Sequence, residues 1–299
     1  MGKSFSIDIG LGEKRTLPLA ETITDLAMTD TINLASDDPD NNVRYIGANP
    51  NNYVYFNCSD YNNQSDSTCE KWRIIGVFNN ITKSDGSKEN LVKIISDESI
   101  GMYDWGYSAG TGYTNDWNNA VLQERLNFGS WTYYPTTLKN DTTRNAIEKV
   151  VWNLGGTSDY TSASNGLASH WYGYERGTTV YSGSSTTWTG KIGLMYPSDY
   201  GYATGGSSST SRATCLAKEL YNWFSVSDCY NNDYLYKSSY PQWTLTAGTR
   251  FEGSVFRVDG NVDYNNAALA GVRPTLYLKS SISVDSGTGE SSNPYRLKF

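Results

Sequence analysis

Apolar positions recur along this chain in short bursts separated by polar turns. In LPLAETITDLAMTDTINL, Leu19, Ile23, Leu26 and Ala27 fall at helical spacing, and acidic turn residues (SDDPDNN) follow. Residues 1–40 therefore read as an approach segment, leading into one domain over 41–299. Tyr53-Val54-Tyr55-Phe56 reads as a strand that ends at Cys58. WRIIGVFNN and ENLVKIISDES, two apolar runs around a polar SDG turn, predict a hairpin. The spacing predicts a helix over 118–127, with Asn115-Asp116 at its start. A second is predicted over 142–154, capped by Thr142 and stopped by Gly155-Gly156.

Residues 156–190 are rich in Gly, Ser, Thr and Tyr, too polar for core and too aromatic for a disordered linker. Lys191–Tyr196 reads as a short buried strand, 201–213 as a flexible loop, and 214–224 as a helix. The last third reads as strands at Trp243-Thr244-Leu245, Ser254–Val258 and Val272–Leu278. Few helices, many short strands and long polar loops define an α+β chain, and no fixed-period repeat is present.

Charge and composition narrow the function. The 299 residues carry 24 Lys+Arg against 31 Asp+Glu, a net charge of −7, with no basic run, so binding to nucleic acid through phosphate neutralisation is not expected. No apolar run approaches the roughly 18 residues that cross a bilayer, so any anchor to a membrane or pilus, or any export signal, is expected outside this stretch, with Met1-Gly2-Lys3 as an added start. Aromatics reach 14% (24 Tyr, 9 Trp, 8 Phe), which points to an aromatic-lined exposed surface as well as a core, although aromatics packed under long loops would give the same count.

The single histidine, His170, excludes a multi-His metal site and reads as a packed or surface side chain. Cys58 with Cys69, and Cys215 with Cys229, bracket short loops without C-x-x-C spacing. They read as two local disulfides and hence an oxidising compartment, four free thiols being the other reading. The cluster Asp37-Asp38-Pro39-Asp40-Asn41-Asn42 has the hard oxygens that calcium prefers but not the spacing of an EF-hand loop, and reads as a solvated acidic turn. Asp97-Glu98 and Glu175-Arg176 likewise read as solvated loop charges. No cofactor is implied.

Five segments occur in order: NNVRYIGANPNNYVYFNC, WRIIGVFN, KIGLMYPSDYGYA, GVRPTLYLKSS and TGESSNPYRLKF. Together they resemble a group of surface-protein domains of gut Firmicutes, akin to the formylglycine-generating-enzyme branch of the C-type-lectin fold, over about residues 41–299. The resemblance implies short twisted antiparallel sheets, paired termini that bring YVYF beside YRLK, and long disulfide-stapled loops forming a binding face. Relatives often carry an N-terminal prepilin-like helix. Formylglycine-generating relatives act through reactive cysteines, whereas the cysteines here fall into two locally spaced pairs that suit disulfides, so that activity is not carried over.

The resemblance also implies a variable region of the kind that diversity-generating retroelements rewrite at adenines. Here it would span Asn231–Arg273, with Trp243, Leu245, Phe256, Val258, Gly271, Val272, Arg273 and Pro274 as framework. The display positions would be Tyr240, Thr246, Arg250, Glu252, Arg257, Asp259, Asn261, Asp263, Tyr264, Asn265 and Asn266. Tyr and Asn combine large amphipathic contacts with adaptable hydrogen bonding, although polar turns of any β-rich protein share that composition.

The expected function is thus a non-enzymatic extracellular binding module on a bacterial cell or pilus, meeting a protein or glycan through loops at 101–117, 230–240 and 244–266. Trp105, Tyr113, Trp117 and Tyr264 are the expected aromatic contacts. A structural pilus or surface-layer subunit, and a carbohydrate-active hydrolase, are the alternatives. Exposed aromatics gathered on one face would favour the binder.

Overall fold

The computed structural model describes residues 17–108, 112–128, 137–266 and 269–299, and the structural statements below concern these. The longest apolar runs make the longest strands. β4 (Glu70–Thr82) and β5 (Lys88–Ser96) form the expected hairpin at the centre of a seven-stranded sheet. Residues 72–78 of β4 are buried without alternation, so both faces of the sheet are covered. β1 (Leu34–Ala35), β2 (Val43–Tyr45), β11 (Ile192–Gly193) and β16 (Thr275–Tyr277) complete the order β1-β2-β4-β5-β16-β11, and β3 (Tyr53–Phe56) pairs with the start of β4. α1 (Leu19–Ala27) packs on this sheet through Leu19 and Ile23, so the segment that precedes residue 41 shares the main core.

The YVYF run and the start of the closing YRLK run lie side by side, as expected. The Tyr55 amide donates to the Tyr295 carbonyl (3.0 Å) and the Tyr295 amide to Tyr53 (2.9 Å), just before β18 (Arg296–Lys298), which pairs with β17 (Ser283–Ser286).

A second sheet has five strands in the order β14-β13-β12-β15-β6. These are β6 (Met102–Tyr103), β12 (Gln242–Ala247), β13 (Ser254–Val258), β14 (Val262–Asn266) and β15 (Ala270–Gly271). Two small ribbons, β7 (Tyr107–Ser108) with β8 (Gly112–Tyr113) and β9 (Val150–Asn153) with β10 (Thr187–Gly190), flank the sheets. The helices are short: α2 (Val121–Asn127), α3 (Asp141–Ala146), α4 (Ala168–Glu175), α5 (Pro197–Ala203), α6 (Arg212–Leu216) and α7 (Ser227–Asn231). The molecule is a mixed α+β protein with small, mainly antiparallel sheets, and both disulfides, Cys58–Cys69 and Cys215–Cys229, are formed.

Four expectations are corrected. The helix expected over 142–154 stops at Ala146, and Val150–Asn153 becomes β9, because Val150 and Trp152 are buried in alternation and pair with Gly190 and Trp188. The helix expected over 214–224 divides into α6 and a 3-10 turn at Leu220–Ser225, where the Leu220 amide donates to Gly166 instead of to its own helix. Gly201–Ala203, expected in a flexible loop, closes the fully buried α5. Residues 156–190, read as too polar for core, supply Tyr160, Trp171, Tyr172 and Trp188 to the interior.

Candidate ligand-binding face

The β12–β13–β14 meander holds most of the residues singled out in the sequence. Its inner side chains are fixed by aromatic packing: Phe256 meets Trp171 at 4.6 Å and Tyr160 at 4.9 Å, edge to face. Its backbone is tied by side chains, with Trp105 Nε1 donating to the Thr244 carbonyl (3.0 Å) and Trp243 Nε1 to that of Tyr103 (2.8 Å). The expected framework positions Trp243, Leu245, Phe256, Val258, Val272 and Arg273 are all buried.

Above this platform an exposed aromatic group gathers at the turn between β12 and β13, with Phe251 on the turn itself, Tyr113 on β8 and Tyr264 on β14. Tyr113, Phe251 and Tyr264 are 39%, 51% and 43% exposed. Phe251, Tyr264 and the edge of the buried Tyr160 line a small pocket of about 60 Å³, with Arg250 beside them. The Arg250 guanidinium lies 5.0 Å from the Phe251 ring centre. Tyr113 seats against Gly253, where φ is +76° and a Cβ would come within 2.4 Å of the Tyr113 Cβ, so only glycine permits this contact. Asn115 locks the turn by donating from Nδ2 to the carbonyls of Gly248 (2.8 Å) and Phe251 (3.1 Å). Beneath, the Tyr160 hydroxyl donates to Asp263 Oδ1 (2.9 Å); burial first, then that carboxylate, push the phenol well above its ordinary range.

The site residues expected from sequence divide three ways. Arg250, Glu252, Tyr264 and Asn266 are exposed, and Tyr113 stands with them. Tyr240, Arg257, Asp259, Asn261, Asp263 and Asn265 are half-buried, and several have structural partners. Tyr240 packs on Gly271 and its hydroxyl accepts from the Ser99 amide (3.2 Å), while Asn261 Oδ1 accepts from the Phe224 amide (2.6 Å).

Trp105, Trp117 and Thr246 are buried and are corrected: they support the face from within. All eight tryptophans among the described residues are buried, because large indoles under short strands fill core volume that these small sheets cannot otherwise close. Residues 109–111 of the expected loops, 267–268 of the expected variable region and 1–16 of the approach segment lie outside the described residues. Phe251 was missed, although it lies between the flagged Arg250 and Glu252.

A second concentration of polar chemistry was not legible at all. Asp38, read as solvated, is buried and takes Arg44 Nε at 2.6 Å. Arg44 Nη1 reaches Asp199 (2.9 Å), whose other oxygen holds the Lys93 ammonium at 2.5 Å. Burial, against the attraction of Asp199, brings Lys93 down to about 8. Glu175, also read as solvated, is buried; its carboxylate accepts from the Ser198 amide (2.8 Å) and hydroxyl (2.5 Å), and burial pushes it up to about 7. His170 Nδ1 accepts from the Leu167 amide (3.3 Å). Among the described residues no three His, Cys, Asp or Glu side chains converge as a metal site, and no helix is long and apolar enough to cross a membrane.

Comparison of the chain with protein-family models, with curated proteins and with solved structures gives no match. What defines it is therefore its own architecture: a mixed α+β, disulfide-bearing protein that presents an aromatic-tipped turn on a rigid meander.

Proposed function

We propose that this chain is an extracellular, non-enzymatic binding module of C-type-lectin-like fold, displayed on a bacterial cell or pilus, that engages a protein or glycan ligand. The observation that carries the reading is the gathering of Tyr113, Phe251 and Tyr264 around the turn between β12 and β13. Exposed rings beside an arginine, on a backbone tied by buried tryptophans, supply contact area at low ordering cost. The two disulfides suit an oxidising compartment. On this reading the exposed positions Arg250, Glu252, Tyr264 and Asn266 are those a retroelement would diversify, over a framework that does not change.

The test is binding of the intact chain to a printed array of complex glycans and to epithelial cells in flow cytometry, beside Phe251→Ala/Tyr264→Ala. Removing both rings should lower binding at least about ten-fold without changing the melting temperature by more than a degree or two. Undiminished binding by the double variant refutes the face. Sequencing the gene locus tests the diversification: a near-identical repeat differing from codons 231–273 only at adenines is expected, and its absence removes that part of the reading.

A structural subunit is the second reading, favoured by Phe224. It is 62% exposed, stacks on Tyr230 and lies against Gly260 at the opposite end of the β13–β14 hairpin, giving a second apolar contact point. Concentration-dependent self-association that Phe224→Ser abolishes would favour it.

A further inference from the structure

A cleft of about 400 Å³ opens on the side of the molecule where β4 ends, away from the aromatic turn in both sequence and lining. Its back wall includes Phe78, Trp152, Tyr196 and Tyr277. These four rings also surround the buried Lys93 ammonium, which lies 4.4 Å from the Tyr196 ring centre and 5.2–5.7 Å from the others. The wall is therefore backed by a buried cation and its Asp199 partner.

Arg176, at the end of α4, stands at the side of this cleft. Its guanidinium carbon lies 3.3 Å from the Tyr172 ring centre. Nη1 is used at home, donating to the Tyr172 carbonyl (3.2 Å) and to Glu175 Oε2 (3.3 Å). Capping a helix C-terminus accounts for that nitrogen. It does not account for Nε and Nη2, which make no hydrogen bond among the described residues although the side chain is three-quarters buried.

The rest of the lining is what a sugar requires. Thr82, Asn80 and Asn153 present neutral donors and acceptors, and the exposed Lys88 stands at the rim. Asn80 is delivered by a bulge in β4, where the pairing with β5 slips between Phe78 and Ile81 and its φ is +55°. Among the described residues the one carboxylate of the lining is Asp40, whose Oδ2 accepts from the Tyr172 hydroxyl (2.7 Å). The lining thus carries two cations, Lys88 and Arg176, the second paired with Glu175 behind it, against one engaged anion, on a chain whose net charge is −7.

The geometry points to a second binding site, specific for a carboxylate-bearing sugar unit of the uronic-acid class, with the carboxylate on the free edge of Arg176 and the hydroxyls on Asn80, Asn153 and Thr82. A fork of two parallel N–H groups matches a carboxylate, and an amide-lined cleft of this size suits one or two sugar rings better than an apolar ligand.

The experiment titrates the intact chain with methyl glucuronide and, as the matched neutral probe, methyl glucoside, by calorimetry and by NMR saturation transfer. The glucuronide should bind in the millimolar range or tighter and at least about ten-fold better than the glucoside, weakening as salt rises. Arg176→Met should abolish the preference. Lys88→Glu, on an exposed residue where the effect on stability should be small, should weaken the glucuronide roughly three-fold or more while leaving the glucoside unchanged. Equal affinity for the two sugars, no binding at millimolar concentration, or glucuronide binding that Lys88→Glu and a folded Arg176→Met leave unaltered would overturn the proposal. Phe251→Ala/Tyr264→Ala should bind the glucuronide as the parent does, so failure here and failure of the aromatic face are separable.

Discussion

Asp199 is the point at which this fold is most exposed to a single substitution. Its two oxygens serve two buried cations, Arg44 Nη1 at 2.9 Å and Lys93 Nζ at 2.5 Å, and the second also accepts from the Tyr196 amide (2.9 Å). Arg44 has a second anion in Asp38, whereas Asp199 is the only carboxylate that pairs with Lys93 among the described residues. Replacing Asp199→Asn keeps the shape and one acceptor but leaves two buried cations facing one anion. Breaking a buried pair in this way costs about 3–5 kcal/mol. At about 2 cal/mol/K of unfolding entropy per residue, a chain of this size should lose roughly 5–10 °C in melting temperature.

The cost should be mostly the orphaned ammonium. Lys93→Met within the rings that enclose it should then recover part of the loss, so that the double variant is less destabilised than the two single variants summed, by about 1–3 kcal/mol. Urea unfolding under non-reducing conditions, followed by tryptophan fluorescence and far-UV circular dichroism together, measures all four corners. A cost below about 1 kcal/mol for Asp199→Asn, or strict additivity in the double variant, would refute the assignment of this pair as a buried, mutually dependent unit.

Other consequences can be measured on the same scale. Burial pushes the Glu175 carboxyl from 4.5 to about 7, so between those pH values the folded chain holds a proton that the unfolded chain has released. Stability then falls as pH rises through that window, by up to about 3 kcal/mol, and Glu175→Gln should flatten the fall in urea midpoints taken from pH 4.5 to 7.5. Replacing Cys215 and Cys229 by Ala opens a loop of sequence separation 14 and should cost about 3 kcal/mol, read as a lower melting temperature that reductant no longer shifts at this bridge. Gly253→Ala should displace Tyr113 and weaken ligand binding with a smaller effect on stability, the reverse of what a purely structural turn would give.

The parts of the fold that were legible are those in which one segment carries its own instruction. The hairpin of β4 and β5, the helix at Leu19–Ala27, the strands of the last third and both disulfides depend on local apolar runs, turn residues or short cysteine spacing. Val150–Asn153 failed for the opposite reason. NAIEKVVWNL has an apolar spacing compatible with a helix, and the choice of strand is made by Thr187–Gly190, more than thirty residues downstream. The buried charges were hidden in the same way. Arg44 and Asp199 are 155 residues apart, Lys93 and Asp199 106, and nothing near any of them distinguishes a core ion from a solvated one. Trp105 and Trp117 were mistaken for contacts because aromatic content says how much ring surface exists and not which side of a strand it takes.

That last error also explains how the face can serve recognition. The structure puts its tryptophans underneath, where Phe256→Ala or Trp171→Ala should each cost about 3–5 kcal/mol by opening a cavity in the aromatic cluster around Tyr160. It leaves Phe251 and Tyr264 at the tip beside Arg250, Glu252 and Asn266, and at these last three exposed positions substitution should stay within about 0.5 kcal/mol. Stability and contact surface are thus carried by different residues a few positions apart on the same strands. Screening random substitutions at those three positions for retained folding, against the same screen at Thr244, Leu245 and Phe256, measures the division. Most substitutions should fold in the first set and few in the second. Equal tolerance in the two sets would show that the meander is not the rigid platform on which the binding face depends.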